Sequence, residues 1–272
     1  MSFACLTLGL MVMPLAQQQA EYVSPLGRTY YALVVRTELL NETEAKLAEA
    51  DSAERLLEVG QEFASYRLYH RAIEIFSLAI ESKPDWALLY RHRGHRYLSV
   101  RDFESARRDL QRAARLDGES VEIQFHLALA HYYAGDFESA RETLRRCIDL
   151  AASDDDRVAA SYWLYLTLRQ LQEEGPADDV LQTIRAGMRV QQSAPYLQLL
   201  LFYKGLVPEA ELLTDDASEA ELSTYGYGVG CRYLFDGNQR EAHALFRKIV
   251  AGRSWPAFGS IGAEVELIRA SE

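Results

Sequence analysis

Two histidines, His92 and His95, stand one helical turn apart and are the closest thing in this sequence to a pair of metal ligands. Two imidazoles at that spacing can hold a metal ion when further ligands complete the set. No carboxylate or cysteine stands at a helpful spacing on the same stretch. His126 and His131 are five residues apart and therefore point to different faces of a helix. We expect no metal site.

The segment GYGVG at 226–230 resembles a phosphate-binding loop only superficially. A dinucleotide fingerprint needs GxGxxG spacing directly after a strand, and this segment has neither feature. The sequence also contains no GxSxG, HExxH, CxxC or P-loop motif. The glycines are better explained by a loose turn and a close helix crossing. We predict no catalytic residues, no cofactor and no enzymatic activity; an unrecognised enzyme in the 190–225 region is the open alternative.

The charge of the chain argues against nucleic acid as a partner. Forty acidic and 29 basic residues give a net charge of −11, and an acidic chain is poorly suited to binding phosphates. The balance is uneven, because residues 91–115 carry eight arginines and three acidic residues. A solvated helix face with ion pairs between successive turns explains this run. A docking surface for an acidic partner is the alternative.

The N-terminal segment bears on the compartment. Residues 1–20 contain an apolar run that is too short to span a bilayer and ends in small residues, like the hydrophobic part of a secretory signal. No Lys or Arg precedes that run, although a signal normally has one. We favour an exported or periplasmic protein without a stable membrane span over a cytoplasmic one, with a buried or disordered N-terminal stretch as the alternative.

The cysteines predict no metal cluster. Cys5, Cys147 and Cys231 match no zinc-binding spacing. Free thiols at Cys147 and Cys231 are favoured over a disulfide between them, a bond that only an oxidising compartment would allow.

A repeat organises the residues above. The hexapeptide DFESAR begins at 102 and again 34 residues later at 136. Aligned in this phase, the segments 53–86, 87–120 and 121–154 share their columns. A tiny residue recurs where a second helix must pass closely, a ring opens that second helix, and alanine follows at the crossing. These columns are Gly60, Gly94 and Ala128; Tyr69, Phe103 and Phe137; and Ala72, Ala106 and Ala140.

The interval and the columns resemble the tetratricopeptide repeat, a helix–turn–helix unit of this length. The resemblance implies an all-α, right-handed superhelical solenoid with a C-terminal capping helix whose outer face is polar. It extends, more loosely, to secreted bacterial proteins of this family. The expected parts are a signal or leader segment (1–20), a leader with a short helix (21–52), three repeat units (53–154), a degenerate repeat with irregular helices (155–225), and a last unit with the capping helix (226–272).

Several local signals predict where elements begin and end. NETE at 41–44 has the form of a capping box and predicts a helix start. SDDDR at 153–157 predicts an N-cap for a helix over about 157–172, in a fourth unit reached by inserting three residues. Gly175-Pro176 predicts a turn, and Trp255-Pro256 predicts a final helix to about residue 269. The aromatic stretch 22–35 lies along the solenoid or forms an extended leader.

The resemblance also implies a binding surface. In this family the first helices of successive units line a concave groove that takes an extended or helical peptide. We therefore expect a non-catalytic scaffold or adaptor that binds a protein or peptide; the alternative is a structural or self-assembling module whose own segments fill the groove. The family's carboxylate clamp uses Lys and Asn where this chain has Leu57 and Gln61, so a chaperone C-terminus is not the expected ligand. The expected partner-binding residues are Leu57, Gln61, Arg91, His95, Leu98, Phe125, Leu129, Tyr132 and Tyr133.

For two of these residues a structural explanation competes with partner binding. Phe125 and Tyr132 are also suited to packing against neighbouring units or against the 22–35 stretch. Tyrosine and arginine are common among the residues that contribute most to binding, which is the reason for including them in the predicted surface.

Overall fold

The computed structural model describes residues 19–271 of the chain. A short antiparallel hairpin comes first, with β1 at Ala20–Val23 and β2 at Thr29–Tyr31. Helix α1 (Thr37–Ala48) follows it. The signal or leader segment expected at 1–20 lies, as far as residue 18, outside the described residues. Within the described part, the helices are too short or too polar to cross a bilayer.

Six helical hairpins follow in chain order, and helix α14 (Phe258–Arg269) ends the series. The prediction of an all-α solenoid is confirmed, with the β-hairpin as an addition before the repeats. The six units are α2 (Ala53–Ser65) with α3 (Tyr69–Ser82), α4 (Ala87–Ser99) with α5 (Phe103–Leu116), α6 (Val121–Tyr133) with α7 (Phe137–Leu150), α8 (Asp154–Gln170) with α9 (Glu174–Thr183), α10 (Ala194–Tyr203) with α11 (Glu209–Leu212), and α12 (Glu219–Phe235) with α13 (Gln239–Ala251).

The turn inside each unit has the same backbone geometry. In the second unit the Asp102 N–H donates to the Tyr97 carbonyl at 3.0 Å, and the third unit repeats this bond between Asp136 and His131 at 3.0 Å. The residue before each donor has a positive φ, a conformation that favours glycine. Those residues are Arg67, Arg101, Gly135, Gln172, Gly205 and Gly237. The first three are 34 residues apart, which shows the repeat in the backbone itself.

The column of tiny residues lies at the crossing within each hairpin, as predicted. A Cβ added to Gly60 would lie 2.4 Å from the Phe76 ring, and one added to Gly230 would lie 2.3 Å from the Phe246 ring. Ala128 is completely buried. Any larger side chain at these positions would push the two helices of a unit apart.

The capping box predicted at 41–44 is wrong. Helix α1 begins at Thr37, so Asn41 lies inside the helix. Thr43 is fully buried, and its hydroxyl donates to the Glu62 carboxylate of α2 at 2.7 Å. Packing of α1 against the first unit therefore decides where this helix lies, in preference to the local cap signal.

The turn predicted at Gly175-Pro176 is also wrong, because both residues lie in the first turn of α9. Proline is tolerated there, since the N–H it lacks would have no partner within the helix. The cap predicted at Ser153 is present, and its hydroxyl accepts from the Asp156 N–H at 3.1 Å. The helix that it caps begins at Asp154, three residues earlier than expected.

Helix α14 departs most from the expected arrangement. We predicted a cap with a polar outer face, but the helix is buried from Gly259 to Leu267. It packs against α12 and α13 on one side and reaches the first helix of the third unit, α6, on the other. The solenoid therefore curves back on its own last helix, which lies inside the superhelix. A helix in this position has no solvated face along most of its length.

Two glycines allow α14 to lie this deep. A Cβ on Gly259 would lie 2.0 Å from the Ser223 carbonyl oxygen of α12, and one on Gly262 would lie 2.4 Å from the Tyr227 ring. The first contact is with backbone, which cannot move aside as a side chain can. The interior position of α14 thus depends on glycine at 259.

Both ends of the described chain meet at Arg101. Its guanidinium lies 5.2 Å from the ring centroids of Tyr22 and Tyr30 and 5.5 Å from that of Trp255. It donates to the Trp255 carbonyl at 2.8 Å and to the buried Glu264 carboxylate at 2.9 Å. This cluster, the Arg101 clasp, joins the β-hairpin, the second unit and α14. The hairpin therefore lies along the solenoid, one of the two arrangements that the sequence left open.

We predict that Gly259→Ala lowers the free energy of unfolding by about 2–3 kcal/mol, because the added methyl group forces α14 away from α12. The matched control is Gly175→Ala, also in a helix, where an added Cβ meets nothing within 4 Å. We expect the control to be neutral or slightly stabilising, since alanine is the better helix former. Urea unfolding followed by circular dichroism checks both, and equal stability of the two variants would contradict the tight crossing.

We predict that Arg101→Met lowers the free energy of unfolding by about 3–5 kcal/mol, because it leaves the Glu264 carboxylate buried without a cation. The double variant Arg101→Met/Glu264→Met should recover much of that loss, since it removes both charges. A double-mutant cycle from denaturant midpoints measures this. Additive losses in the double variant would show that the two side chains do not act as a pair.

Candidate functional site

Five of the nine side chains expected to line an open groove are buried, so for these five that expectation is wrong. They are Leu57, Leu98, Leu129, Tyr132 and Tyr133. The last two lie beside α12 and α14: the Tyr133 hydroxyl donates to the Phe258 carbonyl at 2.9 Å, and the Tyr132 hydroxyl is 3.0 Å from that of Tyr227. For Tyr132 the alternative of packing against other units is the one that the structure favours.

The other four, Gln61, Arg91, His95 and Phe125, keep some access to solvent and lie on the first helices of units one to three. They do not stand alone. The Gln61 amide donates to His92 Nε2 at 2.7 Å, and the Arg91 guanidinium donates to the same nitrogen at 3.1 Å. Together with His92 and Arg96 of α4, we call these residues the inner strip.

The inner strip ends in a cavity of about 580 Å³ between α6, α8 and the 191–196 segment. Its apolar wall consists of Phe125, Tyr196 and Phe258, and its polar wall includes His95 and His126. The volume lies in the range of roughly 300–1,000 Å³ that is common for sites holding small molecules or peptide side chains. Apolar walls with a few polar groups are the usual composition of such sites.

The polar rim of the cavity is held by Asp155 at the start of α8. Its carboxylate accepts the backbone N–H groups of Ser193 at 2.7 Å and Gln191 at 3.0 Å. These hydrogen bonds lower the pKa of the Asp155 carboxyl. The Ser193 hydroxyl donates to the Asp155 carbonyl at 2.9 Å. Both side chains therefore fix the 191–193 backbone, and the serine proton is not directed to a histidine base.

Three histidines of this region are uncharged. Burial, together with the nearby arginine charges, lowers the pKa of His92 and His126 to about 3 and that of His95 well below its ordinary value. The His95 and His126 rings lie 4.4 Å apart, and His126 Nδ1 donates to the Glu122 carbonyl at 2.7 Å. Among residues 19–271, no cluster of three or more His, Cys, Asp or Glu side chains is arranged to hold a metal ion.

The remaining motifs have structural roles. GYGVG lies within α12 instead of forming a loop, with Gly228 against Leu199. Cys147 and Cys231 are free and buried. Burial raises the pKa of the Cys147 thiol to about 12, which removes the thiolate that a nucleophile needs.

Most of the arginine run at 91–115 is paired with acidic residues. These pairs are Arg91 with Glu122, Arg93 with Asp109, Arg101 with Glu264, Arg108 with Glu104, and Arg112 with Asp85. Only the Arg108–Glu104 pair joins successive turns of one helix, as the solvated-face interpretation expected; the other four pairs join different elements. Arg96, like Arg107 and Arg115, belongs to none of these pairs, and its guanidinium lies 5.1 Å from the centroid of the Tyr69 ring.

Sequence reasoning missed several residues of the site. His126 was assigned to no surface, and Tyr196 and Phe258 come from distant elements that no repeat column connects to α6. For Arg96 the one available signal was its position in the same helix, directly after the predicted site residue His95. A pattern that recurs every 34 residues along the chain predicts contacts within a unit and between neighbouring units only.

The comparisons with known proteins agree with the architecture. Residues 121–154 match the family model of the tetratricopeptide repeat. A solved tetratricopeptide repeat protein from Parabacteroides merdae is 13% identical, with 83% of this chain and 92% of that chain covered and a TM-score of 0.57. PilF of Pseudomonas aeruginosa is 13% identical, with 85% of this chain and 100% of that chain covered and a TM-score of 0.50. At such identity these likenesses show the fold alone.

The fold defines a solenoid of stacked helical hairpins closed by its own last helix. Residues 121–154 form a tetratricopeptide repeat by the family match, and the close crossings at Gly60 and Gly94 show the same packing in the two preceding units.

We predict that stability falls as the pH drops from about 7 to about 4, because the unfolded chain takes up protons on its histidines below about pH 6.5 while the folded protein keeps His92, His95 and His126 neutral. Each such histidine contributes up to about 1.4 kcal/mol per pH unit in that window. Urea unfolding at a series of pH values gives the slope.

The test variant is His126→Asn, whose amide can still donate to the Glu122 carbonyl. Its stability should fall less steeply with decreasing pH than that of the wild type. Above about pH 7.5, where imidazole is neutral in both states, the two curves should run parallel. Identical slopes in the acid range would contradict a buried neutral His126.

Proposed function

We infer that this protein is a non-catalytic scaffold that binds a segment of a partner protein in the cavity between α6, α8 and the 191–196 segment. The observation that carries this proposal is that the cavity stays open on the inner side of the superhelix although α14 fills much of that side. A partner side chain entering it would meet Phe125, Tyr196 and Phe258.

The chemistry of the walls supports a protein ligand. Aromatic side chains in a recessed pocket are typical of the residues that contribute most to protein–protein binding. The segment that frames the cavity is rigidly held by the Asp155 carboxylate, so little ordering is needed on binding. The absence of catalysis is part of the proposal. It is supported by two observations: the Ser193 hydroxyl donates to the Asp155 carbonyl and so holds the loop, and the thiols of Cys147 and Cys231 are buried.

A structural module whose own segments fill the groove is the second candidate, and the buried position of α14 favours it. The cavity distinguishes the two candidates, because the partner-binding scaffold requires an open cavity and the structural module does not. An enzyme located in the 190–225 region is the third candidate. Export to a bacterial envelope stays a proposal that depends on the apolar run at the N-terminus.

We predict that Ala159→Trp weakens partner binding, because Ala159 of α8 lines the cavity and the larger indole would fill part of it. A library of random peptides is selected on the full chain, and each enriched clone is retested on this variant. We expect the clones to bind Ala159→Trp at least about tenfold more weakly than the wild type, as expected for a blocked pocket with hot-spot character.

The matched control is Ala244→Trp, which places the same side chain on the exposed face of α13. Clones should bind this control as they bind the wild type. Thermal unfolding of both variants shows whether each is folded. If no clone is enriched, or if the clones bind Ala159→Trp undiminished, the cavity is not the binding site and the self-filled module is preferred.

A further inference from the structure

His126 offers an unused hydrogen-bond acceptor to the cavity between α6, α8 and the 191–196 segment. The residue lines that cavity and is only 6% exposed. Its Nδ1 lies 2.7 Å from the Glu122 carbonyl oxygen, which can only accept, so Nδ1 carries the proton and Nε2 keeps a lone pair. Among the described residues Nε2 has no hydrogen-bond partner, yet it still reaches open space. A ligand that donates a hydrogen bond there would satisfy it.

The carboxylates of the cavity are acceptors that keep their negative charge. Asp155 accepts the backbone N–H groups of Ser193 and Gln191, and Asp156 accepts the Ser153 hydroxyl at 2.7 Å. These donors are neutral, so neither charge is compensated by them. The backbone N–H of Ser193 also lowers the pKa of the Asp155 carboxyl, which is therefore ionised at neutral pH.

The charges along the cavity wall are negative. No Lys or Arg of the described residues is part of its lining. The third lining carboxylate, Glu122, lies 2.9 Å from Arg91 and is compensated by it, which leaves the two aspartates. Arg96, the other arginine of the inner strip, lies over the Tyr69 ring and outside the lining. An anionic ligand would therefore be repelled at the aspartates, and a cation would be attracted.

The aromatic wall suits the stem of a long basic side chain. The Phe258 ring centroid lies 6.2 Å from that of Phe125 and 6.0 Å from that of His126, so three rings meet on one side. Lysine and arginine pack their methylene stems on apolar surface while the charged head reaches polar groups. Aromatic faces also attract cations. A purely apolar side chain would instead cover the carboxylates and the free acceptor without pairing them, which is costly.

We propose that the cavity binds a lysine or arginine side chain of the partner segment. The carboxylates of Asp155 and Asp156 attract its charge, His126 Nε2 accepts one of its N–H groups, and the Phe258 ring covers its stem. This assignment rests on the proposed partner-binding function and adds the chemical class of the ligand. Residues 1–18 contain no Lys or Arg, so that stretch cannot supply the side chain.

The direct test titrates the full chain with single amino acids whose two ends are blocked by acetyl and amide groups. The probes are lysine, arginine, norleucine and glutamate, at physiological ionic strength so that attraction to distant charges is screened. The nitrogen resonance of His126 Nε2 and the methyl resonance of Ala159, which also lines the cavity, report binding. Lysine or arginine should shift both saturably, and their order of affinity shows which side chain the cavity prefers.

Norleucine keeps an aliphatic stem without the charge, so it and glutamate should bind at least about tenfold more weakly than the better basic probe. Unmoved resonances with lysine and arginine, or equal affinity for norleucine, would overturn the assignment. Both results come from the wild-type chain and do not depend on how well a variant folds.

Asp156→Asn removes one charge and keeps an oxygen that can accept the Ser153 hydroxyl. It should weaken binding of the better basic probe by roughly fivefold or more, as expected for loss of a charged acceptor. The matched control Asp149→Asn removes the same charge from an exposed position of α7 and should bind like the wild type. Equal losses in the two variants would mean general attraction to an acidic protein and would also overturn the assignment.

The peptide selection separates this assignment from the function on which it rests. If enriched clones require the cavity but carry no Lys or Arg, or keep their affinity when that residue is replaced by norleucine, the partner-binding function stands and the cationic ligand class falls. If no clone depends on the cavity, the proposed function itself fails. Binding of the basic probes in that case would mark a site for a free small cation, and the assignment to a partner segment would fall as well.

Discussion

The structure depends on one steric constraint, the close crossing of the two helices in each hairpin. Gly60, Gly94 and Gly230 leave room for a large side chain from the facing helix, and alanine supplies the same space in the third unit. An array of stacked helical hairpins that share this crossing curves into a superhelix. The curvature in turn places the first helices of all units on one inner side. Gln61, Arg91, His95 and Phe125 lie on that inner side because they belong to the first helices of units one to three.

The curvature has an outcome that is unusual for a repeat array, since the last helix lies within the curve. Arg101 is central to that closure. It occupies the left-handed turn position that glycine takes in the third, fifth and last units, at a modest cost in backbone strain. From there its side chain reaches the C-terminal segment and the N-terminal hairpin together. Arg67, at the same position of the first unit, reaches the Arg253 carbonyl at 2.7 Å. The turns of the first and second units thus each bind the segment before α14 through an arginine with positive φ.

The sequence predicted what depends on neighbours in the chain and failed where distant parts meet. The hairpin crossing and the stripe of alanines involve residues within one repeat length, so the phase of DFESAR was enough to locate them; the cap at Ser153 was located by the local SDDDR signal. The interior position of α14 depends instead on Arg101 and Glu264, which are 163 residues apart, a contact that no period encodes. The groove was therefore predicted as open, and Tyr132 and Tyr133 were assigned to a surface. In hindsight, Gly259 and Gly262, three residues apart in one helix, were a signal of close packing against another helix.

Enclosure of the last helix also affects how the protein folds. An open array of repeats is close to one-dimensional: its units interact with adjacent units, so folding can start anywhere and terminal units can fray independently. Here α14 packs against the third unit, so the packing of the third unit is incomplete until α14 has been synthesised. Contacts of such sequence separation slow folding and make it more cooperative. In an open repeat array, units can be added or removed at the end with little effect on the rest. In this protein such a change would disturb the contact between α14 and the third unit.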